Sequence, residues 1–204
     1  MTRRCFRSSL IIGIDPIKAR RDLAMKVGAT TVVDPNAEGQ NLVAKLRTLT
    51  PDVVPPGRFF TGQRAAGPMY VIEAVGVTRF ALPAGVEAPT DMTGVQALND
   101  CYNVVRGGGI LRTCGVYGGG GGAAAPMVSF RAGGWANSSN THVPGNYAGV
   151  QALRDIPRFV RLIEKGLFDA KSMVGQTFAG DKMRDALQVA ADRSKITSVA
   201  LFDA

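Results

Sequence analysis

The sequence predicts an α/β chain built around a parallel sheet. Three observations carry that expectation. Short apolar runs without polar alternation, such as residues 10–14 and 69–72, suit strands buried on both faces. Between them lie segments with apolar residues three and four apart, which suit amphipathic helices. The two kinds of segment alternate along the chain, and that favours strand–helix–strand units over hairpins.

Leu10-Ile11-Ile12-Gly13-Ile14 is the first strand and ends at Asp15. Ala19, Leu23 and Val27 follow at helical spacing with Ala24 alongside, and Gly28 stops the helix. Thr30-Thr31-Val32-Val33 reads as the second strand. Asn36 is placed to cap a further helix carrying Leu42, Val43 and Leu46. Residues 48–68 break the alternation with Pro51, Pro55, Pro56 and three glycines. Met69-Tyr70-Val71-Ile72 resumes a strand that runs into Glu73-Ala74-Val75-Gly76, and residues 77–92 form a second irregular stretch. Thr93 and Gln96 fit a capping box, opening a helix with Val95, Leu98, Tyr102 and Val105 on one face. Gly107-Gly108-Gly109 ends that helix, and residues 110–116 form the next strand.

Five glycines, 118–122, come next. A phosphate-cradling loop must lead straight into a helix whose N–H groups face the anion. Here Pro126 and the β-like Met127-Val128-Ser129-Phe130 follow instead, so the run reads as a connector. Residues 135–149 are polar and irregular. A helix then has Asp155 as N-cap and Pro157 in its first turn, with Phe159, Val160, Ile163 and Leu167 inward. Another runs from about Asp181, with Met183, Ala186, Leu187 and Ala190 on one face, and residues 196–202 are strand-like.

Composition narrows the functional classes. With 204 residues and 46% hydrophobic content the chain can bury a core without disulfide staples. The cysteines, Cys5, Cys101 and Cys114, are an odd set without Cys-x-x-Cys spacing, and His142 is the single histidine. Metal sites and Ser-His-Asp chemistry therefore have little material here. The net charge of +8 invites a nucleic-acid partner. However, Arg3, Arg4 and Arg7 lie in the first seven residues, and the other bases are mixed with acids. No basic stripe interleaved with aromatics exists, so no nucleic-acid partner is expected. No apolar run approaches the ~20 residues that span a bilayer, and the first run is too short for a secretory signal. The expectation is a cytoplasmic chain with no membrane contact.

Asp15 is the most specific local feature. It stands just past a strand and just before a helix. In dinucleotide-binding sheets an acid ending the second strand accepts hydrogen bonds from the adenosine ribose hydroxyls and repels a 2′-phosphate, which favours NAD over NADP. The alternative is that Asp15 only caps the helix, with Pro16 at its first position. Arg20 and Arg21, a turn further on, either flank a ribose or phosphate or are plain surface charges. The glycine turn that should precede this strand by one helix has no counterpart among residues 1–9.

IIGIDPIKARRDLAMKVGATTVVDP resembles the second strand, helix and third strand of zinc-dependent medium-chain alcohol dehydrogenases. MYVIEAVG is similar to that family's strand ending in a hydrophobic-Gly turn, and GGGILRTCGVYG to the next strand, beside the nicotinamide. The helix over 155–167 and the stretch to Phe178 resemble the segment that returns to the catalytic domain. The resemblance covers about residues 8–204. The excursion after AVG and WANSSNTHVPG are similar to the formaldehyde-dehydrogenase-like branch.

The resemblance implies an incomplete doubly wound, Rossmann-type parallel sheet lacking its first strand and glycine turn. It implies a partial dinucleotide-binding domain over 8–140 and a returning carboxy-terminal segment over 141–204. Asp15 would bind the adenosine ribose, with Arg20 flanking it. Ala74 and Val75 would line the adenine and ribose side, and Cys114 and Val116 would sit beside the nicotinamide. Read from the residues alone, Cys114 is a small core residue and His142 has a loop or structural role. Lys195 stands near the place of a family arginine that meets the pyrophosphate. The implied cofactor is NAD. Zinc belongs to the full-length family, whose ligands and proton relay come from an amino-terminal half not found here, so no catalytic or metal-binding residue is assigned. A truncated or misassigned start explains the anomalous first seven residues.

The implied activity is hydride transfer between NAD and a small alcohol or aldehyde, in a homo-oligomer, with the isolated chain inactive. Two alternatives stand beside it. One is a non-catalytic dimerisation or interaction module derived from a dehydrogenase. The other is an unrelated α/β transferase, such as a methyltransferase, which also ends its second strand in an acid.

Overall fold

A computed structural model describes residues 10–51, 66–76, 85, 93–115, 117, 127–130, 135, 138–145 and 151–202. The chain forms two compact units. One comprises Met1–Ala37, Ala81–Pro89 and Gln151–Ala204; the other comprises Glu38–Phe80 and Thr90–Val150.

In the first unit, β1 (Ile12–Ile14) pairs in parallel with β2 (Thr31–Val33), and α1 (Lys18–Lys26) makes the crossover. The register sets Ile12 beside Thr31, Gly13 beside Val32 and Ile14 beside Val33. A Cβ on Gly13 would stand 3.1 Å from the Ala24 Cβ, so the glycine lets α1 lie close on the strand. Gly28 ends the crossover at φ +117°, a conformation that glycine adopts without strain. The short α2 (Pro35–Glu38) begins directly after β2. Later in the same unit come α5 (Ala152–Glu164), β6 (Gln176–Ala179), α6 (Met183–Ala191) and β7 (Ser198–Leu201). Strands β6 and β7 pair in parallel, again across a helix. Met183, Ala186, Leu187 and Ala190 of α6 face one way, as the spacing predicts, and line an apolar groove with Val199 and Phe202.

The second unit holds α3 (Leu42–Leu49), β3 (Tyr70–Glu73), α4 (Gln96–Val104), β4 (Ile110–Thr113) and β5 (Thr141–Val143). Its sheet runs β3-β4-β5, parallel throughout. The alternate side chains Val71 and Leu111 face α4, where Leu111 is fully buried among Val95, Leu98 and Tyr102. Burying such a side chain contributes about 1.5–3 kcal/mol. Tyr70 and Ile72 point to the other face and are exposed. The Arg47 guanidinium donates to the Asn103 carbonyl oxygen and ties α3 to α4.

The α/β class and the parallel pairing are as the sequence predicts, and several details differ. β1 is not buried on both faces, since Ile14 is exposed among the described residues. The polar stretch 135–149 contains β5, a three-residue strand that β4 recruits through its free edge. β6 has no predicted counterpart. Asp34, not Asn36, supplies the cap after β2: its Oδ1 accepts the Asn36 N–H at 3.0 Å. The capping box at Thr93 does not form. Thr93 Oγ1 accepts the Val95 N–H, and Gln96 turns to Asp100 one helical turn on. The helix with Pro157 starts at Ala152, and Asp155 reaches back to accept the Gln151 N–H. Pro157 therefore lies inside the helix. Residues 127–130 are not a strand, and β4 ends at Thr113. The glycine run lies outside the described residues.

Candidate functional site

The sites begin where the strands end. In a parallel α/β sheet the strands point their carboxyl ends to one edge, and ligands bind there. In the first unit, that edge of β1 and β2 carries Asp15 and Asp34.

Asp15 uses its atoms in three directions. Its Oδ1 accepts the Ile17 N–H at 2.7 Å, which fixes the turn into α1. Its main-chain oxygen accepts from Arg21 Nη1 at 2.7 Å. Its Oδ2 faces Arg20 Nη1 at 3.8 Å, and both of these side chains are partly exposed. Asp15 thus closes the turn before α1 and is not its N-cap, which is Ile17 without a side-chain cap, and Pro16 lies before the helix. Arg21 is no plain surface charge. Its side chain is only 16% exposed and its Nη2 pairs with Asp34 Oδ2 at 2.8 Å. Nothing in the local pattern shows this pair, although both strands visibly end in Asp, as IGID and TVVD.

In the second unit, Ala74, Val75 and Cys114 stand at the ends of the adjacent strands β3 and β4, and all three are exposed. The expectation of Cys114 as a core residue is therefore corrected: the strand ends at Thr113 and the thiol lies beyond the buried layer. Val116 lies outside the described residues. The organiser of this edge is Glu73, which the sequence reading passed over. It is 2% exposed, and its Oε1 accepts the Val75 N–H at 2.7 Å and the Gly76 N–H at 2.8 Å. Gly76 has φ +76°, as so tight a turn requires. The Glu73 carbonyl accepts from the amides of Cys114 and Gly115, binding the end of β4 to the same turn. Gly115 has no room for a side chain: a Cβ there would stand 2.6 Å from Glu73 Oε2. Burial, and then the Glu73 carboxylate, push the Tyr117 hydroxyl well above its ordinary pKa. Burial pushes the Cys101 thiol up to about 12, with Glu73 and Asp100 adding to it. That thiol is a packed side chain and no nucleophile.

His142 sits in β5. Tyr102 Oη lies 2.8 Å from Nδ1 and Thr113 Oγ1 lies 3.3 Å from Nε2. Burial lowers its pKa. Lys195 follows α6, before β7, in the first unit.

Solved structures share this arrangement. The chain superposes on benzyl alcohol dehydrogenase from Acinetobacter calcoaceticus with a TM-score of 0.69 at 19% identity, covering 96% of this chain and 43% of that one. It superposes on an alcohol dehydrogenase zinc-binding domain protein from Burkholderia ambifaria with a TM-score of 0.70 at 15% identity, covering 96% and 42%. The fold is that of the alcohol dehydrogenases. A short chain alcohol dehydrogenase from E. coli CFT073, solved with NADH, shares it with a TM-score of 0.67 at 13% identity, covering 99% and 47%. This chain spans less than half the length of these dehydrogenases. No family model and no curated protein matches the sequence. Among the described residues no three His, Cys, Asp or Glu side chains gather to hold a metal ion. No described helix is long and apolar enough to cross a membrane.

Proposed function

We propose that this chain carries part of the cofactor-binding sheet of an oxidoreductase that moves hydride between NAD and a small alcohol or aldehyde. The observation that carries the reading is Asp15, a partly exposed acid that follows β1 of a parallel pair, with Oδ2 3.8 Å from Arg20 Nη1. A carboxylate there accepts from the ribose hydroxyls and repels a 2′-phosphate, so NAD is favoured over NADP. Arg20 flanks the ribose. In the second unit, taken by itself, the resemblance gives Ala74 and Val75 to adenosine and Cys114 and Val116 to the nicotinamide. When bound, nicotinamide takes up or gives back the hydride. No described residue is assigned to polarise the substrate oxygen.

The 204 residues alone are expected to hold NAD weakly. A pyrophosphate needs the free N–H groups of a helix start behind a glycine turn. Residues 1–9 contain no glycine. Titration with NADH should show no micromolar binding and no turnover with alcohols. Micromolar binding with turnover would refute this. Asp15 is tested separately with adenosine and 2′-deoxyadenosine by ligand-observed NMR. Adenosine should bind the more tightly by about tenfold, a ratio worth one charge-assisted hydrogen bond. Asp15→Ala should abolish the difference, and equal binding to the unaltered chain would remove the ribose role.

One observation favours the second reading, a homo-oligomeric interaction module. α5 has no buried residue and exposes Leu153, Ile156, Phe159, Val160 and Ile163. Apolar stripes of this kind mark protein contacts. Mass measurement by light scattering should then show a dimer that Phe159→Asp dissociates, whereas a wild-type monomer would refute the module.

A further inference from the structure

The ladder between β1 and β2 ends with Ile14 beside Val33. One step further sets Asp15 beside Asp34, on parallel strands about 4.8 Å apart. Arg21 ties the two strand ends together. Its guanidinium donates through Nη1 to the Asp15 carbonyl and pairs through Nη2 with Asp34. Asp34 keeps its other oxygen on the Asn36 N–H. One half-buried guanidinium therefore joins the first turn of α1, the end of β1 and the start of α2.

We infer that Arg21 and Asp34 are positioning residues that hold Asp15 for ribose recognition. The inference rests on the ribose reading of Asp15. The bond to the Asp15 main chain fixes the backbone from which the carboxylate springs, and the Ile17 amide then fixes its rotamer through Oδ1. Oδ2, 3.8 Å from Arg20, is the oxygen not held by a main-chain amide. The division of labour between the two arginines follows. Arg21 is committed to the clamp, whereas Arg20, at 3.8 Å, stays close enough to flank a ligand held by Asp15.

The test uses the full chain with Arg21→Met, Asp34→Asn and the double variant. Asp34→Asn preserves the Oδ1 acceptor for Asn36 and removes the charge. The control is Lys18→Met, which breaks only an exposed pair with Asp22. Two quantities are measured: the ratio of adenosine to 2′-deoxyadenosine affinity, and the hydrogen-exchange rate of the Ile17 amide. Each single variant should lower the affinity ratio by about tenfold, and the double variant should fall no further, because the residues act as one unit. Ile17 exchange should accelerate while the amides of β6 and β7 keep their rates. An unchanged affinity ratio in both single variants would overturn the inference. If the unaltered chain shows no preference for the ribose diol, the ribose reading fails by itself. The clamp is then judged on Ile17, and unchanged exchange in both variants overturns it.

Discussion

Replacing Glu73 by alanine removes the acceptor that two consecutive main-chain amides share. Val75 and Gly76 both donate to Oε1, and the carboxylate is almost fully buried. Hydrogen bonds to a charged group contribute about 1.5–3 kcal/mol each, and a buried amide left without a partner adds a desolvation cost. The expected loss for Glu73→Ala is about 3–6 kcal/mol, a large share of the ~5–15 kcal/mol by which domains are stable. Glu73→Gln separates shape from charge. Its amide oxygen still accepts from both N–H groups, and its NH₂ replaces Oε2, so the expected cost is below about 1.5 kcal/mol. Urea unfolding followed by the fluorescence of Trp135, the sole tryptophan, measures both. Trp135 stacks edge-on against Tyr102 in the same unit, so it reports on the relevant core. A loss under about 1 kcal/mol for Glu73→Ala would show that the turn does not depend on this carboxylate. Equal losses for the two variants would show that charge, not the shared acceptor, holds it. In Glu73→Gln the Tyr117 hydroxyl should also ionise at lower pH, because one of the causes raising it is gone.

Two further outcomes are expected. Gly115→Ala should destabilise the second unit by about 2 kcal/mol or more, since the new methyl meets the backbone of Gly76 as well as Glu73 Oε2, and unchanged urea unfolding would contradict the contact. His142 should make stability fall with pH. Its folded pKa lies below the unfolded value of 6.5, so the unfolded chain binds the proton first as pH drops. The contribution is whole above 6.5, is lost progressively below it, and levels off beneath the folded pKa. The fall in Tm between about pH 7.5 and 5.5 should shrink in His142→Gln, and an identical fall in both proteins would exclude His142 as its source.

What could be read from the sequence follows from how locally each feature is determined. The alternation of β1, α1, β2 and α3 was legible because helix spacing and short β-branched runs are properties of neighbouring residues. β5 was not. Thr141, His142 and Val143 sit in a polar stretch, and they become a strand only because β4 offers an open edge at Ile110–Arg112. The caps failed for a similar reason. Asp34 takes the Asn36 amide, and Thr93 takes the Val95 amide while Gln96 turns to Asp100, choices that the residue types alone do not decide.

The site divides along the same line. Asp15 was legible because its position at a strand end is local. Arg21, Asp34 and Glu73 were not, because each acts across a register. Sliding β2 by one residue would part Asp34 from Asp15 and reverse which side chains face α1. Glu73 closes an apolar run and, by composition alone, belongs on the surface. It is buried because Gly115 brings the end of β4 against it with no side chain between. A carboxylate forced inside then takes the nearest amides, those of its own turn. The acids at these strand ends are therefore linked to their function in different ways. Asp15 places Oδ2 3.8 Å from Arg20, Asp34 divides its oxygens between the Asn36 amide and Arg21, and Glu73 gives Oε1 to two amides of its own turn. Pattern alone cannot distinguish the two kinds, since IGID, TVVD and YVIE all read as a strand closed by an acid.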